Sequence, residues 1–258
     1  MNIKEVYKRL RAEFLGFDVL LMPLYCKFIY SPKQHSLAAA LDKVGNKKTF
    51  QFLQVGGNDG FANDPIFKFV KKYKWKGIIV EPQQEVFNTR LSKTYRFEKN
   101  VHLVNKAVTA ETGIKLLYKL AVSNSRWATG LATFNKEVML DRIKNNDRIK
   151  TRALKEGVVL PKNDEDYITT EEVHCVSILD LMAQQQFTYL DLLQIDTEGY
   201  DFEIIKTIDF SKLKPKMISF ERHLLSNEDQ KLCKSLLTNE GYTVQDFGGD
   251  SLATIKNQ

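Results

Sequence analysis

One short stretch does most to limit what this chain can fold into. Residues 50–55 (FQFLQV) form an apolar run that ends at Gly56-Gly57-Asn58-Asp59-Gly60. A run of that length stopped by glycines reads as a buried strand entering a loop. Asp64-Pro65 comes next, an N-cap residue with proline at the first helical position. Ile66, Phe67 and Val70 then share one face of a helix. Strand, glycine loop and helix make the opening unit of an α/β sheet.

The alternation recurs. Residues 77–80 (GIIV) read as a second strand ending at Glu81-Pro82, residues 85–95 as a helix, and residues 101–104 (VHLV) as a third strand. It resumes with a strand at 173–176, a helix at 177–186, a strand at 190–195 (LDLLQI) and a helix from about Tyr200. A strand at 216–220 and a helix at 228–239 follow, and strands at 242–247 and 251–255 are joined by Gly248-Gly249-Asp250, a hairpin turn. This order predicts a Rossmann-like, mostly parallel α/β sheet with helices on both faces and an antiparallel hairpin at its C-terminal edge. Residues 1–48 are expected to form a helical N-terminal extension, and 49–258 the domain. Residues 113–170 read as an insertion able to cover a substrate, strand-like at 114–120 and 131–134 and helical at 136–153.

Composition excludes some classes. At 43% hydrophobic and 27% charged residues, the chain is not a disordered one. Its net charge of +6 favours acidic partners, but the basic stretches at 68–76 and 142–155 fit solvated helix faces. No aromatic interleaving marks a nucleic-acid surface, and no nucleic-acid partner is expected. Cys26, Cys175 and Cys233 lie far apart, without a CxxC pair, which suits a reducing, cytoplasmic setting. Residues 14–30 (FLGFDVLLMPLYCKFIY) are apolar but broken by Asp18, Pro23 and Lys27, and short for a span of ~20 residues. No small-residue cleavage site follows them. The expectation is packing on the domain, with a peripheral membrane contact as the alternative.

In open sheets of this kind, ligands sit outside the carboxyl ends of the strands. There the glycine loop lets a ligand approach the backbone, and Glu81, 21 residues after Gly60, can accept hydrogen bonds from ribose hydroxyls. Asp196 and Glu198 stand at a later strand end. The combination points to an adenosine-containing cofactor. A dinucleotide would want GxGxxG, which GGNDG does not supply in any register. Asp59 would also repel a pyrophosphate, whereas it suits the sulfonium and ammonium of S-adenosylmethionine.

VGGNDG (55–60), VEP (80–82), VSILDLM (176–182), IDTEGYDFEIIK (195–206) and ISFE (218–221) occur in the order seen in FkbM-type S-adenosylmethionine-dependent methyltransferases, which the chain resembles over about residues 50–221. The D-x-E-G-x-[DE] pattern is the most specific element. The resemblance implies a class I methyltransferase fold and O-methylation of hydroxyls on sugars, glycans or related small molecules. It also implies that Gly56, Asn58, Asp59 and Gly60 line the methionine part of the cofactor. By the same resemblance Glu81, with Pro82, would hold the ribose, Asn105 and Ala107 would lie near the adenine, and Asp196 would face the methyl group. Gly57 stands where Ala is commoner.

Methyl transfer to a hydroxyl needs in-line positioning and a base, for which Asp196 and His223 are the candidates. Glu198 and Glu221 could orient the substrate, or join Asp196 around a divalent cation, the less favoured arrangement. Each has a plainer explanation: Asp196 as a helix cap, Glu198 in the first turn of a helix, His223 as a surface residue. Trp127, in SNSRWATG (123–130), could stack on a sugar ring or merely pack. A non-catalytic nucleotide-binding module and an NAD-type oxidoreductase remain as alternative classes.

Overall fold

A computed structural model describes residues 15–47 and 49–255. In chain order the strands are β1 (Gln51–Val55), β2 (Lys76–Val80), β3 (Val101–Val104), β4 (Ala107–Val108), β5 (Gly113–Leu120), β6 (Ile168–Val176), β7 (Leu192–Ile195), β8 (Met217–Glu221), β9 (Tyr242–Phe247) and β10 (Asp250–Ile255). The main sheet has the order β3-β2-β1-β7-β8-β10-β9, parallel from β3 to β8 and antiparallel at β10 and β9. A second sheet, β4-β6-β5, carries the insertion.

The helices are α1 (Leu15–Phe28), α2 (Leu37–Val44), α3 (Phe67–Tyr73), α4 (Gln84–Val86), α5 (Ser92–Tyr95), α6 (Arg126–Thr129), α7 (Lys136–Asn145), α8 (Asp147–Lys155), α9 (Ile178–Gln184), α10 (Asp201–Lys206) and α11 (Asn227–Asn239). A π-helical turn, Phe87–Leu91, joins α4 to α5. On one face of the main sheet Leu53, Ile78, Leu193 and Ile218 meet Leu181 of α9, Ile205 of α10 and Leu237 of α11. On the other, Phe52, Ile79 and Leu192 meet Cys26 of α1, Leu41 of α2 and Val70 of α3. Burial of both faces explains the apolar runs of the central strands, interrupted by the buried Gln54, Gln194 and Ser219. Trp75 belongs to this packing: its ring stacks on Phe50 with centroids 3.9 Å apart.

Four sequence expectations change. The helix after the glycine loop begins at Phe67, not at Pro65, although Asp64 Oδ1 still accepts from Ile66 N and Phe67 N at 2.9 and 2.6 Å. Residues 131–134 form no strand, only a single bridge between Thr133 and Tyr118. Asn135, whose side chain accepts from Val138 N, starts α7 immediately afterwards and leaves no length for pairing. Residues 136–153 make two helices rather than one, broken at Asn146, which caps α8 by accepting from Arg148 N. β6 starts five residues earlier than expected, because its polar half pairs with β5 at the protein surface.

Of the apolar 14–30 segment, Phe14 lies outside the described residues, as do all of residues 1–13 before it. The rest forms α1 and its C-terminal turn. No helix among the described residues is long and apolar enough to cross a membrane. The three cysteines are free and buried.

Candidate active site

The carboxyl ends of β1, β2, β7 and β8 and the start of β10 surround a cavity of about 320 Å³. The glycine loop forms one wall. Gly56 N and Gly57 N both donate to Val80 O, at 3.0 and 2.9 Å, which curls the loop over the end of β2. Gly56 has φ +86°, and a Cβ there would lie 1.8 Å from the Asp196 carbonyl oxygen. Only glycine permits this close approach of β1 and β7.

Glu81 closes the loop from β2. Its Oε2 accepts from Asn58 N at 2.8 Å, and its Oε1 accepts from Gln83 N at 2.9 Å and Gln83 Nε2 at 3.1 Å. Burial pushes its carboxyl up to about 7 against the pull of these donors. Glu81 thus braces the loop, and its Oε2, with one donor against two on Oε1, keeps a second lone pair for a ligand hydroxyl. Asn105 Nδ2 donates to Glu81 O and Pro82 O, at 2.8 and 3.0 Å, and holds that turn from behind. Pro82 lines the cavity, whereas Asn105 and Ala107 do not. Ala107 is buried in β4, opposite Cys175.

Asp59 is not free. Its Oδ1 accepts from Phe61 N and Ala62 N, both at 2.9 Å, and its Oδ2 meets Arg126 Nε at 3.0 Å. The same guanidinium reaches the Ala62 carbonyl.

On the opposite wall, oxygen atoms of Asp196, Glu198 and Glu221 all lie within 4.8 Å of one another. Burial raises Asp196 well above the usual carboxylate range, and the neighbouring Glu198, Asp201 and Asp250 raise it further. Burial, then Asp196 and Glu198, push Glu221 up to about 9. Glu198 is raised by burial and held back by Arg142, whose Nη2 lies 2.7 Å from its Oε2. Carboxylates this close do not all ionise at neutral pH, so the group holds a proton that it can exchange. The same three oxygens could hold a divalent cation, which takes hard oxygen ligands.

The plainer explanations for two of these acids do not match the geometry. Thr197 N and Oγ1 donate to Asp201 Oδ2, so the turn before α10 is tied by Asp201 rather than by Asp196. Glu198 sits before α10 in a left-handed conformation, φ +56°, not in its first turn. His223 lies outside the cavity, half-exposed, with Nδ1 3.4 Å from Glu221 Oε1. Trp127 is also outside. Its Nε1 donates to Glu156 Oε1 at 2.8 Å and its ring packs with the insertion's own core.

The contents of the cavity can be matched to a ligand. Its walls are acidic, and the buried acceptors Gln54 Oε1, Asn58 Oδ1 and Gln83 Oε1 have no hydrogen-bond partner among the described residues. A ligand with two cationic centres and several donors fits this set, as S-adenosylmethionine does; a pyrophosphate does not.

The sequence profile of the Methyltransferase FkbM domain matches residues 54–244. The chain belongs to the FkbM methyltransferase family. No curated protein matches it by sequence. Among solved structures it is similar to the FkbM methyltransferase of Methylobacillus flagellatus KT, at 12% identity and a TM-score of 0.48, over 80% of this chain and 44% of that one. It therefore spans less than half the length of that relative. It is also similar to an O-methyltransferase from Bacillus cereus in complex with SAH (9% identity, TM-score 0.46, 94% and 90% covered) and to a human methyltransferase 10 domain containing protein (12%, 0.42, 96% and 97%).

Within this FkbM-family domain, four working residues escaped the sequence reading. Asp201 is fully buried; its Oδ1 accepts from Glu221 N at 3.0 Å while Oδ2 holds Thr197, which ties the end of β8 to the turn after β7. Its signal was present, since Asp201 is the last acid of D-x-E-G-x-[DE]. Gln83 follows VEP directly. Arg126 and Arg142 come from the insertion and find Asp59 and Glu198 across 67 and 56 residues, so no local spacing announces them.

Proposed function

We propose that this protein is an S-adenosylmethionine-dependent O-methyltransferase acting on a hydroxyl of a sugar, glycan or related small molecule. The observation that carries this reading is the meeting of Asp196, Glu198 and Glu221 across one cavity from the glycine loop. S-adenosylmethionine, when bound, supplies an electrophilic methyl group on a sulfonium. The glycine loop and Glu81 would hold the nucleoside and methionine parts, and Glu198, fixed by Arg142, would orient the acceptor hydroxyl. Asp196, in its ionised form, would take the hydroxyl proton as the methyl group passes from sulfur to the acceptor oxygen and S-adenosylhomocysteine is left. Glu221 and the half-exposed His223 at 3.4 Å would pass it toward solvent. The seven acids around the cavity disfavour the dinucleotide alternative.

Calorimetric titration with S-adenosylhomocysteine, beside NADH and with Glu81→Ala, tests the cofactor. Micromolar binding of S-adenosylhomocysteine, weakened in the variant and absent for NADH, is expected. A protein that binds neither sinks the reading. Mass spectrometry on a panel of hydroxylated and aminated acceptors then tests the oxygen specificity, which methylation of amines alone would overturn.

We also infer a peripheral contact with anionic membranes through residues 14–30. Leu24, Phe28 and Ile29 are 55%, 70% and 72% exposed, beside Lys27, and no acid occurs between Val19 and Leu41. Apolar side chains interleaved with lysine suit a bilayer interface. Co-sedimentation with anionic but not zwitterionic phospholipid vesicles is expected, and Phe28→Ser with Ile29→Ser should abolish it. Equal partitioning to neither vesicle ends the idea.

A further inference from the structure

The walls of the cavity carry seven Asp or Glu side chains and, among the described residues, one cationic side chain, Arg126. S-adenosylmethionine presents a sulfonium, an α-ammonium and an α-carboxylate. Acidic walls favour the first two and repel the third. We infer that Arg126 binds the methionine carboxylate, and so makes the site selective for cofactors that keep their amino-acid end. This rests on the methyltransferase reading and goes beyond it.

The placement of Arg126 is built rather than incidental. It opens α6, and two side chains, Gln83 and Arg90, fasten that short helix and the turn before it. Gln83 Nε2 donates to Thr129 O at 3.0 Å, Arg90 Nη1 donates to Thr129 Oγ1 at 3.1 Å, and Arg90 Nη2 donates to Asn124 O. The guanidinium then lies against the glycine loop: Nε on Asp59 Oδ2, Nη2 on Ala62 O. Its Nη1 makes no protein hydrogen bond among the described residues, which leaves part of the planar fork for a carboxylate. Asp59 is itself oriented by Phe61 N and Ala62 N. Asp59 and Arg126 together therefore present one negative and one positive group side by side. That is the complement of an amino acid's ammonium and carboxylate.

Two ligands separate this role from mere support of α6. S-adenosylhomocysteine has the amino-acid end; 5′-methylthioadenosine has the same nucleoside thioether without it. The experiment is calorimetry of both ligands with wild type, Arg126→Ala and Arg126→Lys, each checked by circular dichroism and thermal melting. Arg126→Ala should weaken S-adenosylhomocysteine by about 10- to 100-fold, the range for a lost charge-assisted hydrogen bond. It should leave 5′-methylthioadenosine within about 3-fold, and Arg126→Lys should fall between. Equal weakening of both ligands would mean that Arg126 only holds the wall, and would overturn the inference alone. Unchanged binding of S-adenosylhomocysteine would overturn it too. Wild type that binds neither ligand removes the methyltransferase reading and the inference with it.

Discussion

The two walls of the cavity are made by different kinds of sequence. The β1–β2 wall comes from contiguous motifs, in which a strand, a glycine loop and Glu81 settle one another's positions within 30 residues or so. The insertion covers the cavity with α6, whose Arg126 lines it, while Arg142 of α7 stands behind Glu198 without lining it. The charged side chains of the first wall are all acids; the insertion brings Arg126 to Asp59 and Arg142 to Glu198. The contrast suggests a division of labour: short-range sequence shapes the pocket, and long-range contacts balance its charge. If so, damage to the first wall should act through shape and chemistry, and damage to the second through electrostatics.

The largest effect is expected where shape and chemistry meet, at the end of β7. Asp196→Asn keeps the volume and removes the base, so methyl transfer should fall about 10²- to 10⁴-fold. Binding of S-adenosylhomocysteine should change by less than about 3-fold. Single-turnover kinetics beside calorimetry separate the two, and a variant with full activity would move the base elsewhere. Gly56→Ala comes next. Its Cβ would meet the Asp196 carbonyl in a left-handed conformation, at a cost of about 3 kcal/mol or more. Chemical denaturation reads that loss directly.

Arg142→Ala probes the other wall. It leaves Glu198 beside Asp196 and Glu221 without its counter-charge, at a cost of about 2 kcal/mol, between the values for exposed and fully buried pairs. Protonation of the abandoned acids relieves that repulsion, so the destabilisation should shrink as pH falls. Denaturation of the variant at pH 8 and pH 5 checks this; an equal loss at both would make Arg142 a packing residue.

The same contrast explains what the sequence could and could not reveal. The order of strands and helices, the closing hairpin and the helices on both faces were legible because each rests on local periodicity and turn chemistry. Residues 131–134 were misread because an apolar run cannot say that Asn135 will end it. The polar half of β6 was missed because its partner β5 lies some 50 residues away, and pairing rather than hydrophobicity makes it a strand. At the site, Asp196 and Glu198 were legible as strand-end acids. Asp201 was visible as a letter of a motif but not as the clamp between β7 and β8. The buried row Gln54, Gln194 and Ser219, on neighbouring strands, had no warning, because single polar residues inside apolar runs look like ordinary alternation.

Glu221 sharpens the comparison by the sign of its effect. Burial and its acidic neighbours push Glu221 from an ordinary 4.5 up to about 9. Between those values the folded protein holds a proton that the unfolded chain has released, so this group's contribution is complete below pH 4.5 and drains away as pH rises toward 9. Glu81, pushed up to about 7, acts in the same direction over a narrower window. Stability should therefore decline from mildly acid to alkaline pH. Glu221→Gln mimics the protonated form at every pH. It should leave the melting temperature unchanged near pH 4.5 and raise it at pH 8, by about 2–4 °C for each kcal/mol in a chain of this size. A variant that melts lower than wild type at pH 8 would show that Glu221 is ionised there, held by a counter-charge such as Arg142 or a bound cation. Repeating that melt with excess Mg²⁺ and with EDTA would tell which.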